Sequence, residues 1–123
     1  MTTIVTAGKV IAAKLLNGVD SPTAFGYIAI GSGSTAESAS QTALVTEITT
    51  NGGARAAATK TYEGSNTAQW SKIFSFTGSV TMREMGVFNA SSGGTMLMRH
   101  VLAADRAYIN GESVEIIMQA ILS

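Results

Sequence analysis

Two alternating arms on either side of a short Ser/Gly turn constrain the fold of this chain more than any other feature. The arms are residues 82–90 and 95–103, and residues 91–94 lie between them. Alternation of side chains with a period of two is typical of a β-strand, and two such runs joined by a short Gly-containing loop predict an antiparallel hairpin. The sequence therefore predicts a mainly β domain built from antiparallel strands.

More strands are predicted on both sides of this hairpin, over residues 25–30, 54–63, 67–76 and 113–122. The two middle strands form a second hairpin across Gly64-Ser65-Asn66, a typical turn sequence. Neither face of the last strand is strongly polar, so we expect this strand to be central in its sheet or covered on both sides.

Helical segments are predicted to be few and short. Residues 7–16 carry apolar side chains at helical spacing and end at Asn17-Gly18, which is a typical helix stop. Residues 41–48 predict one or two further helical turns. No linker or internal repeat interrupts the 123 residues, and this length suffices for one core. We therefore expect a single domain over residues 1–123, an antiparallel β-sandwich or a partly open barrel with one or two short helices.

The chain is weakly charged, which limits the partners that it can attract. Charged residues make up 13% of the sequence, and 8 basic residues balance 8 acidic ones. Soluble domains usually contain about 25% charged residues. Binding to nucleic acid or to an anionic membrane surface needs clustered Lys and Arg, so we expect neither partner. A net charge near zero favours association with other protein surfaces.

No motif in the chain predicts catalysis, a metal or a cofactor. Residues 31–36 fit the pattern G-x-G-x-x-A of a dinucleotide-binding turn, but the βαβ unit that this motif requires is not predicted. His100 is the only histidine and cysteine is absent, so no metal-ligand spacing or catalytic triad is evident. We predict a non-enzymatic protein without catalytic residues, metal ligands or cofactors, in which residues 31–36 are a flexible loop after a strand.

Two charged residues within the apolar arms of the main hairpin are predicted to pair. Glu84 lies in the first arm and Arg99 in the second, and the arms run side by side if the hairpin closes at residues 91–94. Opposite charges on neighbouring strands stabilise a sheet, and no second carboxylate stands nearby for acid–base chemistry. We therefore interpret Glu84 and Arg99 as a structural ion pair, within the subunit or across an interface.

Poorly protected strand edges give the strongest indication of function from the residues alone. Strands rich in Thr, Ser and Ala with few charges invite pairing with other chains, which predicts an oligomer or a place in a larger assembly. The apolar, Thr-rich residues 1–6 predict an extended arm that adds to a neighbour. The candidate partner-binding residues are Thr2, Thr3, Ile4 and Val5 of this arm, and Ser91, Ser92, Gly93 and Gly94 of the hairpin turn.

Seven short motifs from about residue 25 onwards resemble a group of small tailed-bacteriophage structural proteins. Their pattern runs from a Gly/Ser strand end and an Ala/Leu segment, through an Arg-Ala-Ala strand start and an aromatic strand, to a hairpin and a late strand start. The motifs are Gly31-Ser32-Gly33-Ser34, Thr42-Ala43-Leu44, Arg55-Ala56-Ala57, Phe74-Ser75-Phe76, Glu84-Met85-Gly86-Val87-Phe88-Asn89-Ala90, Gly93-Gly94-Thr95-Met96-Leu97-Met98-Arg99 and Asn110-Gly111-Glu112-Ser113. The chain departs from the pattern at His100-Val101-Leu102, where a hydrophobic residue and an aromatic one are usual.

The resemblance implies a virion component and leaves two locations open. A bare domain with its own Met1, without shaft repeats or coiled-coil heptads, favours a capsid decoration (cement) protein on the capsid exterior. Such a protein binds the assembled lattice of the major capsid protein but not its loose subunits, and so stabilises the shell; we expect it to be a homo-oligomer, for example a trimer. The alternative is a tail or tail-fibre protein that binds a glycan on the host surface.

Overall fold

The computed structural model describes residues 2–123, which form two antiparallel β-sheets and one helix. In chain order the elements are β1 (Thr2–Ile4), α1 (Thr6–Asn17), β2 (Tyr27–Gly31), β3 (Ala56–Ala57), β4 (Thr59–Tyr62), β5 (Thr67–Ser75), β6 (Val80–Phe88), β7 (Met96–Tyr108) and β8 (Ser113–Ile121). The sheets stack face to face and do not close into a barrel. The prediction of a mainly β, antiparallel sandwich is therefore confirmed.

Sheet A contains five strands in the order β1-β7-β6-β2-β3 and is built around the predicted main hairpin. In this hairpin Met85 of β6 lies opposite His100 of β7. The pairing is interrupted where residues 102–105 of β7 face Arg83 alone. The Arg83 side chain donates to the Leu102 carbonyl at 2.7 Å and to Asp105 at 3.1 Å. These bonds satisfy polar groups that the bulge leaves unpaired. The strand β7 therefore continues beyond the end that the sequence predicts.

Sheet B contains three strands in the order β4-β5-β8. The predicted second hairpin is present as β4–β5, and its turn uses left-handed backbone at Gly64, Ser65 and Asn66. Its first arm, predicted as one strand over residues 54–63, instead divides into β3, which pairs with β2 of sheet A, and β4 of sheet B. Among residues 2–123, β8 pairs only with β5, which makes β8 an edge strand. Its outward residues are exposed, with Ile117 at 51% and Ile121 at 59%. The prediction that this strand is central or covered on both sides is therefore wrong, because no element within residues 2–123 covers its second face.

The main core lies between the two sheets. Sheet B contributes Trp70 and Phe74, whose rings are buried against aliphatic and Met side chains of sheet A. The Trp70 indole N–H donates to the Phe25 carbonyl at 3.0 Å, so its polar atom is satisfied inside the core. Other buried members of this core are Ile28, Ile30, Phe76, Val80, Met82, Met85, Val87, Leu97, Met98, Ile116 and Met118.

Helix α1 confirms the predicted first helix and extends it by one residue at each end. Its Ile11 and Leu15 pack against the main core. Gly8 lies directly on β7, and a Cβ atom at Gly8 would approach the Leu97 Cα to 2.6 Å. Only glycine permits this close approach. The helix ends at Gly18, which has a left-handed φ of 72°, as expected for a helix C-cap.

The predicted second helix over residues 41–48 is absent, and the segment forms bends and an isolated β-bridge between Glu47 and Gly31 instead. Two of its backbone amides, those of Val45 and Thr46, donate to the Glu84 carboxylate. The Ser32 N–H donates to the Thr46 carbonyl. These backbone groups are therefore hydrogen-bonded to sheet A and to the residue that follows β2. A helix over these residues would require the same groups for its own hydrogen bonds.

The N-terminal segment is a strand of its own sheet in this structure. Thr3 of β1 lies opposite Arg99 of β7, and Val5 is fully buried while its N–H donates to the Leu97 carbonyl at 3.0 Å. Of the predicted arm, Met1 lies outside the described residues. The described part is therefore paired within the subunit, and its addition to a neighbour stays a prediction.

Candidate functional site

The predicted pair Glu84 and Arg99 forms a buried polar cluster on sheet A. The Arg99 Nε atom donates to Glu84 Oε1 at 2.8 Å, and both side chains are fully buried. The carboxylate also accepts bonds from three backbone amides, those of Gly33 at 2.9 Å, Val45 at 2.9 Å and Thr46 at 2.7 Å. Every one of these contacts is intramolecular, so Glu84 anchors the 32–46 loop to the sheet.

Arg99 holds the other part of the same loop. Its Nη1 atom donates to the Thr35 carbonyl at 2.8 Å and to Gln41 Oε1 at 3.1 Å. Its Nη2 atom has no hydrogen-bond partner within residues 2–123. The loop thereby covers the second face of sheet A and encloses a smaller apolar cluster. This cluster contains Val5, Ala29, Leu44, Phe88 and Met96.

The Gly31-Ser32-Gly33 motif makes room for the Glu84 carboxylate. A Cβ atom at Gly31 would lie 2.5 Å from Glu84 Oε2, and one at Gly33 would lie 2.6 Å from the same atom. The two glycines therefore let the backbone approach an internal carboxylate closely. The pattern that resembles a dinucleotide-binding turn thus binds a side chain of the same chain through the Gly33 amide.

A second polar cluster supports the predicted contact turn, residues 91–94. The Arg55 guanidinium stacks on the Phe88 ring, with 3.7 Å between its Cζ atom and the ring centroid. It forms an ion pair with Glu47 at 2.7 Å, and its Nη1 atom donates to the carbonyls of Ala90 and Gly93 at 3.0 and 2.8 Å. The turn is exposed to solvent, but hydrogen bonds from the Arg55 side chain fix its backbone.

Sequence reasoning did not assign this role to Arg55. From the sequence, Arg55 is recognised only as part of the Arg55-Ala56-Ala57 motif. A single Arg in an otherwise Ala-rich segment is the signal available. Glu47 lies 8 positions away, but Ala90 and Gly93 lie 35 and 38 positions away in sequence. Only the fold brings these residues together.

The two sets of candidate partner-binding residues occupy different places. Residues 2–5 lie along β7 beside Leu97–His100, where the Thr2 hydroxyl and His100 Nδ1 are 3.4 Å apart. Residues 91–94 form the turn at the end of the same hairpin. Ser91, Ser92 and Gly93 border an open cavity of about 290 Å³ that Glu47 and Thr49 also line. The structure does not combine the two sets into one site.

A surface that the sequence analysis did not select lies on sheet B. Alternation along β5 and β8 directs one set of side chains into the core and the other outward. We call the outward set the outer face of sheet B. It consists of Gln69, Ser71, Ile73 and Ser75 of β5 and Ser113, Glu115, Ile117, Gln119 and Ile121 of β8. One of these nine residues is charged, and three are exposed isoleucines.

The described residues offer contact surfaces and anchored loops rather than reacting groups. Within residues 2–123 no three His, Asp or Glu side chains converge in a way that would hold a metal ion. In the same range, no helix is both long and apolar enough to cross a membrane. The most buried carboxylate, Glu84, is enclosed by its own loop and is inaccessible to a substrate.

Comparison with known proteins gives one finding. Residues 5–122 match the family model described as Podophage GP4 fiber I protein gp80. No curated protein matches the chain. The matched range contains both sheets, the helix and both polar clusters, except for β1 and its pairing with β7.

Proposed function

Because the chain belongs to the podophage GP4 fiber I protein gp80 family, we propose that it is a structural subunit of a phage tail fibre. The observation that carries this proposal is the family match over residues 5–122, which leaves little of the chain outside it. The chain is thus a phage virion component, as its resemblance to tailed-phage structural proteins implies. The match supports the tail-fibre alternative over capsid decoration.

The anchored loops of sheet A suit a subunit that works through its surface. The buried Glu84–Arg99 pair fixes the 32–46 loop, and Arg55 fixes the 91–94 turn. Loops held in one conformation lose less entropy when they bind, which favours repeated, uniform contacts between subunits. A fibre needs such contacts, since its geometry depends on each subunit presenting the same surface.

We also propose that the role is non-enzymatic, as is typical of a structural fibre protein. The charged side chains that the fold buries, Glu84 and Arg99, bond backbone groups and each other, so they hold the fold together. The clusters described above place no nucleophile beside a base in an open cleft, which is the arrangement that general acid–base or covalent catalysis uses. Binding to the major capsid protein and binding to a host glycan both stay predictions.

Labelling of intact virions tests the proposed location. Antibodies raised against the purified domain, detected with gold in electron micrographs, should label the tail, and antibodies pre-absorbed with the domain provide the control. Cryo-EM of the same particles should show density that fits the two-sheet domain at the tail. Label and density repeated over the capsid shell would contradict the fibre proposal and restore capsid decoration.

A further inference from the structure

We propose that the free edge of β8 receives an extended segment of another fibre protein, which adds to sheet B as a fourth strand. The inference rests on the proposed function for its setting in a fibre, and it deepens that function by naming the kind of partner. Three observations carry it: the backbone groups that β8 directs away from β5, the groove beside that edge, and the low charge of the strand.

The register of β5 and β8 shows which backbone groups point to the free edge. The Leu122 N–H donates to the Asn66 carbonyl, and the Phe76 N–H donates to the Glu112 carbonyl. Both pairs continue the β5–β8 register, and hydrogen-bonded positions alternate along an antiparallel pair. The even-numbered residues of β8 therefore bond β5. The odd-numbered residues direct their N–H and C=O groups to the side where no strand pairs among residues 2–123, and they are Ser113, Glu115, Ile117, Gln119 and Ile121.

A groove runs beside this free edge. It consists of two adjoining cavities of about 430 and 350 Å³, which share Met85, His100 and Ile117 among their lining residues. β8 forms one wall of the groove. The strands β6, β7 and β1 of sheet A form its floor, and β1 contributes Thr2. The groove therefore lies next to β8 and above the rim of sheet A, where a further strand of sheet B would be placed.

Exposure along one row of sheet A shows how far sheet B reaches. The row consists of four successive cross-strand partners, Ile30, Met85, His100 and Thr2. Such partners lie on the same face of a sheet. Ile30 and Met85 are buried, whereas His100 is half-buried and Thr2 is exposed. Burial is therefore lost where β8 ends the smaller sheet, and a fourth strand would cover His100 and Thr2.

The length and low charge of β8 leave its edge open to pairing. Natural edge strands are usually short, or they carry charges, prolines or bulges that discourage addition of another strand. β8 has nine residues, contains no proline and carries one charge, at Glu115. The other strands at the sheet edges, β1, β3 and β4, have two to four residues. β8 is thus the edge strand that is best suited to accept a partner.

The chemistry of the edge and groove specifies the partner. Alternate backbone donors and acceptors along a strand edge are matched by another extended backbone. Alternate side chains of an added strand enter the groove above Met85 and Leu102, so we expect apolar residues at those positions. Arg106 and Glu115 carry opposite charges at one end of the groove. Because these charges offset each other, an uncharged segment is the complementary one.

A second copy of this chain fits the edge less well. Within residues 2–123 the strands β2, β5, β6 and β7 each pair on both sides, and β1 has three residues. β8 of a second copy carries its own sheet A on its inner face, so β7 and β1 of the two copies would occupy the same space beside the edge. The described segments therefore do not supply the added strand, and we assign it to another fibre protein.

Proline substitution at the free edge tests the inference in assembled phage. Gln119→Pro removes an N–H that faces the free edge and keeps the β5–β8 hydrogen bonds, a position at which sheets accept proline. Gln119→Thr is the matched control, because it loses the same side-chain contact with Gln69 and keeps the N–H. Quantitative mass spectrometry of purified virions should find the Gln119→Pro chain reduced by about 10-fold or more. The Gln119→Thr chain should be present in wild-type amounts.

Urea unfolding of both purified variants establishes that each domain remains folded. Cryo-EM of wild-type virions then tests the contact without any substitution. At a resolution that separates strands, a strand of another protein should run along β8 at a spacing of about 4.8 Å. Solvent along β8 or a second copy of this chain there would overturn the inference. Equal amounts of the two folded variants in virions would overturn it as well.

The location of the domain in the same maps reports separately on the proposed function. A domain in the tail with solvent along β8 would refute strand addition and leave the proposed function intact. A domain on the capsid shell with a strand along β8 would refute the proposed function. It would leave strand addition intact, with a capsid protein as the donor of the strand.

Discussion

Sheet A and sheet B differ in how many of their faces the chain covers. Sheet A is covered on one face by sheet B and helix α1 and on the other by the 32–46 loop, which Glu84 and Arg99 hold in place. Within residues 2–123 sheet B is covered on one face, and Ile73 and Ile117 are exposed on the other. The chain's own segments therefore cover both faces of sheet A, whereas one face of sheet B keeps apolar side chains exposed.

The largest effect that separates the two sheets should come from breaking the buried pair. Glu84→Ala leaves the Arg99 guanidinium buried without its carboxylate and releases three backbone amides, so it should destabilise the domain by about 3–5 kcal/mol. Urea unfolding measures the change. Asp20→Ala, which breaks the exposed Lys14–Asp20 pair, is the control and should cost less than about 1 kcal/mol. Similar losses for both variants would contradict the role assigned to Glu84.

The close approach of the loop to sheet A predicts the next largest effect. Gly31→Ala places a Cβ atom 2.5 Å from Glu84 Oε2 and from the Thr46 carbonyl oxygen, and such overpacking typically costs about 1–3 kcal/mol. Gly26→Ala is the matched control, because its Cβ would meet only Lys60 side-chain atoms, at 3.7 Å or more. Thermal unfolding should separate the two variants. If Gly31→Ala is as stable as Gly26→Ala, the loop has room to move away from the sheet.

A more local effect should follow from Arg55→Lys. A lysine cannot bond both Glu47 and the carbonyls of Ala90 and Gly93 while it lies on the Phe88 ring, because it lacks the planar fork of arginine. Hydrogen exchange should become faster in residues 91–94, while the β2 amides keep their protection. Arg106→Lys, an exposed substitution on β7, is the control. Uniformly faster exchange across sheet A would indicate that Arg55 supports the whole fold instead of the turn.

The sequence predicts sheet A better than it predicts how the loops cover it. The hairpins, helix α1 and the Glu84–Arg99 juxtaposition follow from local patterns, because alternation and turn residues act over short distances. The conformation of residues 41–48 does not follow from local patterns, because amides of this segment donate to Glu84, about 40 positions away in sequence. The same reason hides the role of Arg55, whose partners come from two other segments.

The wrong prediction that β8 is central in its sheet or covered on both sides has a different physical cause. Its two faces are both apolar enough for a covered strand, and the pattern correctly reports that the side chains favour burial. In the described part of the chain, Ile116 and Met118 of β8 are buried, whereas Glu115, Ile117 and Gln119 between and beside them are exposed. A sequence records which surfaces favour burial, but it does not record whether the covering element belongs to the same subunit. The disagreement at β8 therefore marks an apolar surface that residues 2–123 leave exposed.

The smallest effect, and the most direct comparison of the two sheets, comes from one kind of substitution made in each. Ile73→Thr on the outer face of sheet B replaces an exposed ethyl branch with a hydroxyl and keeps the branched Cβ, so monomer stability should change by no more than about 0.5 kcal/mol. Val87→Thr, at a fully buried position of sheet A, places a hydroxyl in the core and should cost about 1–3 kcal/mol. Urea unfolding at a protein concentration low enough to keep the chain monomeric measures both. If Ile73→Thr costs as much as Val87→Thr under these conditions, the outer face of sheet B stabilises the monomer itself, and the distinction between a completed and an incomplete sheet fails.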